Sequence, residues 1–170
     1  MRILFSIVFV MSYLSGHSQE KPSATQSFMV TGEVKQEVKI SVNDFDKYRG
    51  ALVKDVVITN HLGEVKSRIK KLTGVLLRDI LANVEIKSEK PRDLSACYLV
   101  CKATDGYTII YSWNEVFNNP AGESIYLITS KEDIKAIDME ESILMLSPRD
   151  YKTGRRYLKS LTSIEVKRAN

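Results

Sequence analysis

Five basic residues, Arg149, Lys152, Arg155, Arg156 and Lys159, fall within eleven positions around Gly154. Guanidinium and ammonium groups at that density can hold a phosphate or another anion, and arginine can do so through two parallel hydrogen bonds. Solvation of a charged loop explains the same residues without any ligand, so spacing alone leaves both readings open. A second basic group, Lys66, Arg68, Lys70 and Lys71, partly alternates and is expected to be the solvent face of a strand.

Other chemistry has weaker support. The sequence contains no nucleophile elbow, Walker loop or dinucleotide glycine fingerprint. Zinc takes about four N or S ligands, mostly in close pairs. His61, Cys97 and Cys101 are too scattered for that, and no metal site is expected from them. His61 reads as a solvated turn residue. Asp133, Asp138, Glu140 and Glu141 could pair for acid–base work or hold a hard cation. A charge run between strands is more simply a solvated loop. Trp113 follows a capping residue and is expected to pack on a sheet.

These residues must be positioned by mostly β-prone segments. Residues 28–34 and 37–42 predict two strands, with Val34, Val38, Ile40 and Val42 in alternation. Ser41 and Asp44 form an acidic capping box for a short helix over 43–48. Segments 55–59 and 64–69 predict a hairpin around Asn60-His61-Leu62-Gly63. Thr73-Gly74 is read as the opening of a helix over 75–84, with Val75, Leu76, Ile80, Leu81 and Val84 as its apolar stripe. A charged loop over 87–95 follows. Segments 96–102 and 107–111 predict strands joined by Thr104-Asp105-Gly106. Ser112 and Glu115 cap a helix over 113–117. Strands are expected at 125–129, 143–146 and 161–166, with an acidic stretch over 132–141 and a basic loop over 148–156. Roughly nine strands and three or four short helices favour an α+β fold with mixed, mostly antiparallel sheets over a βαβ repeat.

The chain has 170 residues, 44% hydrophobic and 27% charged, which suits one domain or two small ones. Its apolar residues are densest at the front. Arg2, an apolar run over 3–14, and Gly16 and Ser18 before Gln19 make a secretory signal pattern. The expected organisation is a signal segment over 1–18, a linker over 19–27 and one domain over 28–168. The expected location is periplasmic or secreted. The run is short of the ~20 residues a spanning helix needs, so no membrane span is expected after cleavage; an uncleaved anchor is the competing reading. Losing Arg2 leaves a small basic excess, too mild and mixed for nucleic-acid binding. Cys97 and Cys101 lie four apart on a predicted strand, roughly 13 Å and beyond disulfide reach. They are expected to be buried free thiols.

Four pieces in order resemble the oxidoreductase molybdopterin-binding domain family, the pterin-binding domain of sulfite oxidase and related reductases. Val30-Thr31-Gly32-Glu33-Val34, followed by 38–42 and Asp44-Phe45, resembles its opening hairpin and "L-S-x-x-D-L" step. Leu72-Thr73-Gly74-Val75-Leu76-Leu77-Arg78-Asp79-Ile80-Leu81 resembles "W-x-G-V-x-L-x-D-L-L". Ala103-Thr104-Asp105-Gly106-Tyr107 resembles "A-x-D-G-Y". Residues 156–166, from Arg156-Tyr157-Leu158-Lys159 onward, resemble "R-S-V-K-W-L-x-x-I-x-V".

The resemblance implies a sulfite oxidase molybdopterin-domain-like fold, and molybdopterin as the cofactor to test. It also implies a cysteine thiolate on molybdenum just before the "G-V-x-L-x-D-L-L" segment, a soft ligand for a soft, redox-active metal. Here Val57-Ile58-Thr59-Asn60-His61-Leu62-Gly63 has no cysteine, and Asn60 or His61 stands near that place. Ser160 replaces the closing tryptophan, and Leu72 the tryptophan of the helix start. Arg156 and Lys159, with neighbouring Arg155, match basic positions that in the family lie by the pterin and its phosphate. The expectation is an exported protein that binds a pterin or another anionic small ligand without oxygen-atom transfer. The alternative is a cofactor-free module on the same scaffold, binding a ligand or a protein at the cell envelope. A third reading is an active reductase in which Asn60 or His61 meets the metal.

Overall fold

Alternating apolar residues along the β-prone segments become two five-stranded sheets in a computed structural model that describes residues 24–169. The expected signal segment and most of the expected linker lie outside the described residues. In chain order the strands are β1 (Ser27–Gly32), β2 (Val38–Ser41), β3 (Ala51–Thr59), β4 (Val65–Leu76), β5 (Cys97–Ala103), β6 (Thr108–Ser112), β7 (Tyr126–Lys131), β8 (Ile134–Lys135), β9 (Met145–Leu146) and β10 (Leu161–Arg168). The helices α1 (Leu77–Leu81) and α2 (Trp113–Phe117) have five residues each.

One sheet has the order β2-β1-β10-β5-β6. The other runs β3-β4-β7-β8, with β9 also on β7. Only the β1–β10 pair is parallel among these pairings. The α+β class with mostly antiparallel sheets is therefore the one observed. Both sheets supply one core. Leu99 and Cys101 from β5, Ile164 and Val166 from β10, and Leu127 and Ile128 from β7 are all buried. Each such aliphatic side chain contributes roughly 1.5–3 kcal/mol on leaving water.

Local signals hold where the expected partner lies a few residues away. Ser41 accepts from Asn43 N–H at 3.3 Å and its own N–H donates to Asp44 Oδ2 at 2.8 Å. The segment they open is a 3-10 helix over Val42–Lys47, one residue earlier than the short helix expected over 43–48. Asn60 Oδ1 accepts the N–H groups of Leu62 and Glu64, which closes the β3–β4 turn. Gly32 has φ +89° and a Cβ there would collide with the Val166 carbonyl, so the parallel β1–β10 pairing requires glycine.

The expected helix over 75–84 is the main correction. Gly74, Val75 and Leu76 remain in β4, paired with Ile128, Leu127 and Tyr126, and only Leu77–Leu81 is helical. Glycine and β-branched valine favour helix weakly, and Val75 is buried in the sheet. Gly74 also has no Cβ to push away the Leu127 carbonyl of β7. The acidic stretch holds the short β8 and a 3-10 turn over Ala136–Asp138, so the described residues contain ten strands, not nine. The 87–95 loop runs into a 3-10 turn over Pro91–Ala96. β1 starts at Ser27, and before it Thr25 Oγ1 donates to Leu161 O at 3.0 Å while the Thr25 carbonyl accepts from Ser142 Oγ.

Candidate functional site

Three distant parts of the chain meet at one end of the fold: the Asn60–Gly63 turn, the β5–β6 turn, and the basic loop that ends in a 3-10 turn over Thr153–Arg156. Thr153 seats this loop on the edge of β3. Its hydroxyl donates to Val57 O at 2.6 Å and accepts from Thr59 N–H at 3.0 Å. Gly154 follows directly, and a Cβ there would collide with the Thr59 carbonyl. Lys152 Nζ donates to His61 O at 2.6 Å, across 91 positions of sequence. The Tyr107 hydroxyl donates to Arg155 O at 2.6 Å. The loop is thus held on both sides by partners that burial or turn geometry already orders.

Arg156 lies beneath the loop. Its Nε and Nη2 donate to the two carboxylate oxygens of Asp150 at 2.6 and 2.5 Å, and its Nη1 donates to Glu115 Oε1 of α2 at 2.5 Å. The guanidinium also sits 4.5 Å over the buried Tyr111 ring. The Asp150 bonds, with the Glu115 bond, outweigh burial and strengthen its hold on the proton. Tyr111 shares a 2.8 Å hydrogen bond with the buried Ser147 hydroxyl, and burial pushes its phenol up. Lys159 is directed elsewhere. Its Nζ lies 3.7 Å from Glu141 Oε1 and 5.3 Å over the Tyr157 ring. Lys131 Nζ donates to both Glu141 oxygens, at 2.8 and 2.9 Å. Burial raises the Glu141 pKa, but the Lys131 bond and charge prevail and the net shift is downward.

The two basic residues singled out by the closing motif are therefore committed to internal carboxylates. The open cations are their neighbours. Arg149, Lys152 and Arg155, together with Tyr151, Asp150 and Arg156, line an open groove of about 640 Å³. Among the described residues neither the Arg149 nor the Arg155 guanidinium has a carboxylate partner. Tyr151 is fully exposed. Reading the sequence for charge misses Tyr151, although an aromatic amid arginines and lysines is a legible signal. It also misses Asp150 and Glu115, the groups that claim Arg156.

Asn60 and His61 do lie beside this loop. The Asn60 side chain is occupied within its own turn, where Nδ2 donates to Glu64 Oε2 at 2.7 Å. His61 is exposed and reaches the loop through its backbone carbonyl. The donor set does not fit molybdenum. The end of β3 offers no thiolate, while Cys97 and Cys101 are buried free thiols in β5. Burial pushes the Cys101 thiol up to about 12, far from the thiolate a metal needs. Among the described residues no group of three or more His, Cys, Asp or Glu side chains is placed to hold a metal ion. None of the described helices is long and apolar enough to cross a membrane.

No family model and no curated protein matches the chain. Among solved structures, the crystal structure of the sulfane dehydrogenase SoxCD from Paracoccus pantotrophus is similar in fold, with a TM-score of 0.62 at 11% identity. The match covers 82% of this chain and 37% of that one, so this chain spans well under half the length of its structural neighbour. At that identity the likeness shows the fold alone, and it is the sulfite oxidase molybdopterin-domain-like fold expected from the sequence.

Proposed function

We propose that this chain is an exported binding module that takes a phosphate-bearing, pterin-like ligand in the basic groove and carries out no oxygen-atom transfer. One observation carries the reading. Arg149 and Arg155 stand open on a loop that Thr153, Lys152 and Tyr107 hold in place, while Arg156 is used up beneath it. Two guanidiniums without internal partners can each offer paired hydrogen bonds to a phosphate. The loop's anchoring reduces the ordering entropy that binding would otherwise cost. Tyr151 supplies an exposed ring on which a flat heterocycle can stack. Arg156 acts as a positioning residue in this reading, while Lys159 is turned to Glu141, and Asn60 and His61 stand beside the loop. The chemistry of oxygen-atom transfer is left out because the end of β3 has no soft ligand for the metal. Export rests on the N-terminal sequence pattern.

A second reading, contact with an envelope protein, is favoured by Leu62 and Val65. Both are large, apolar and exposed at the tip of the hairpin beside the groove.

Titration calorimetry with a phosphorylated pterin and with pyrophosphate tests the first reading. The wild type is expected to bind, and Arg149→Ala with Arg155→Ala to weaken binding at least tenfold. Unchanged affinity overturns the site. Molybdenum co-purifying with pterin in a one-to-one ratio overturns the absence of metal chemistry.

A further inference from the structure

We infer that the groove between α2 and the connection from α1 to β5 is a second binding site, for a small, flat, uncharged apolar molecule. It is independent of the basic groove and of the function proposed there. Its walls are Leu81, Val84, Ile86, Leu94, Trp113 and Phe117, and its volume is about 590 Å³. Small-molecule sites usually enclose roughly 300–1,000 Å³ with mainly apolar walls.

The flat shape of the ligand follows from the α2 wall. Trp113 and Phe117 are four apart on one helix face, and their rings stack with centroids 4.1 Å apart and planes 23° apart. Both are only half-buried, so the stack leaves aromatic surface facing the groove. A third ring can extend such a stack with an offset geometry.

Both walls are held before any ligand arrives. Ser112 Oγ accepts from Glu115 N–H at 3.0 Å and caps α2. On the other side, Lys35 N–H donates to Glu85 O and Lys87 N–H to Glu33 O, each at 2.8 Å, which ties Ile86 to Val34 at the end of β1. Ser88 Oγ donates to Lys90 O at 2.8 Å and shapes the rim.

Neutrality follows from the rim. Glu89 and Lys90 are both exposed there, and among the described residues neither has an ion-pair partner. One carboxylate and one ammonium side by side give the mouth no net sign. A ligand charged at the end that enters the groove would lose water over apolar walls with nothing there to replace it. A second copy of the chain is a poor fit, because stable dimers bury roughly 800 Å² per partner and this groove is a local feature of two short segments.

Trp113 is the only tryptophan in the chain, so its emission reports on the α2 wall of the groove. The probe is N-phenyl-1-naphthylamine, which is uncharged and carries a flat naphthalene ring, with its 8-sulfonated analogue as the charged control. Saturable quenching of Trp113 by the neutral probe is expected, with the sulfonate at least tenfold weaker. Ala82 lines the groove and is exposed, so Ala82→Glu places a charge there without disturbing the core. It should weaken the neutral probe at least tenfold and leave the melting temperature unchanged. Arg149→Ala with Arg155→Ala should leave the probe's affinity unchanged, which separates this site from the basic groove. Absence of saturable quenching, or equal affinity in Ala82→Glu, overturns the inference. So does a wild-type dimer in sedimentation that Ala82→Glu splits, since the occupant would then be a second copy.

Discussion

Arg156 grips both carboxylate oxygens of Asp150 from beneath the loop that carries Arg149 and Arg155. The residue that most resembles a ligand contact in the sequence is thus the residue that holds the loop's other cations in place. Glu115 of α2 completes the arrangement from 41 positions away.

Replacing Arg156 therefore affects stability before it affects binding. Arg156→Ala leaves Asp150 and Glu115 facing each other without their cation, and both are mostly covered. A loss of about 2–4 kcal/mol is expected in urea unfolding, as for other half-buried pairs that lose one partner. Arg149→Ala on the exposed rim should stay within about 0.5 kcal/mol of wild type. Equal stabilities for the two variants would show that Arg156 does not anchor the loop.

The seat of the loop on β3 can be tested separately. Gly154→Ala puts a methyl group against the Thr59 carbonyl and should lift the 3-10 turn from the strand, costing about 1–3 kcal/mol. Thr153→Val removes the hydroxyl that serves both Thr59 N–H and Val57 O, at about 1–3 kcal/mol, while Thr153→Ser retains it. Hydrogen exchange at the Thr59 amide should quicken in the first two variants and not in the third.

Glu141 makes part of the stability depend on pH. Its folded carboxyl titrates below the ordinary 4.5, because Lys131 and Lys159 favour its charge more than burial opposes it. A lowered folded pKa means stability that is fully present above the unfolded value and is lost as pH falls through the folded one. The stability gap between wild type and Glu141→Gln should be constant above about pH 5 and shrink below pH 4.5. A gap that persists undiminished at pH 2.5 would remove the Lys131–Glu141 pair as its source.

The cysteines should be silent in the folded protein. Cys97 and Cys101 both face the core, and burial raises the Cys101 thiol to about 12. Thiol titration with a disulfide reagent at pH 8 should find no reactive cysteine until denaturant is added, and two afterwards. A thiol that reacts natively would reopen the possibility of a thiolate ligand.

What the sequence determined by itself is whatever depends on neighbours a few residues apart. Ser41 and Asp44 cap their turn, Asn60 closes the β3–β4 hairpin, and Gly106 sits at φ +82° in the Asp105-Gly106 turn, because each geometry is satisfied within a span of about five residues. The absence of a thiolate before Gly74 is equally plain from residue order. The tertiary structure alone decided the rest. Val75 and Leu76 match a helical stripe as well as a buried strand, and only β7 alongside them settles the choice. The roles of the basic residues are decided in the same way. Arg156 and Lys159 look no different from Arg149 and Arg155 in a list of charges. They differ because folding brings Asp150, Glu115 and Glu141 within hydrogen-bond or ion-pair reach of the first two. A cation's availability depends on which carboxylates packing delivers to it, and sequence separation carries no information about that distance.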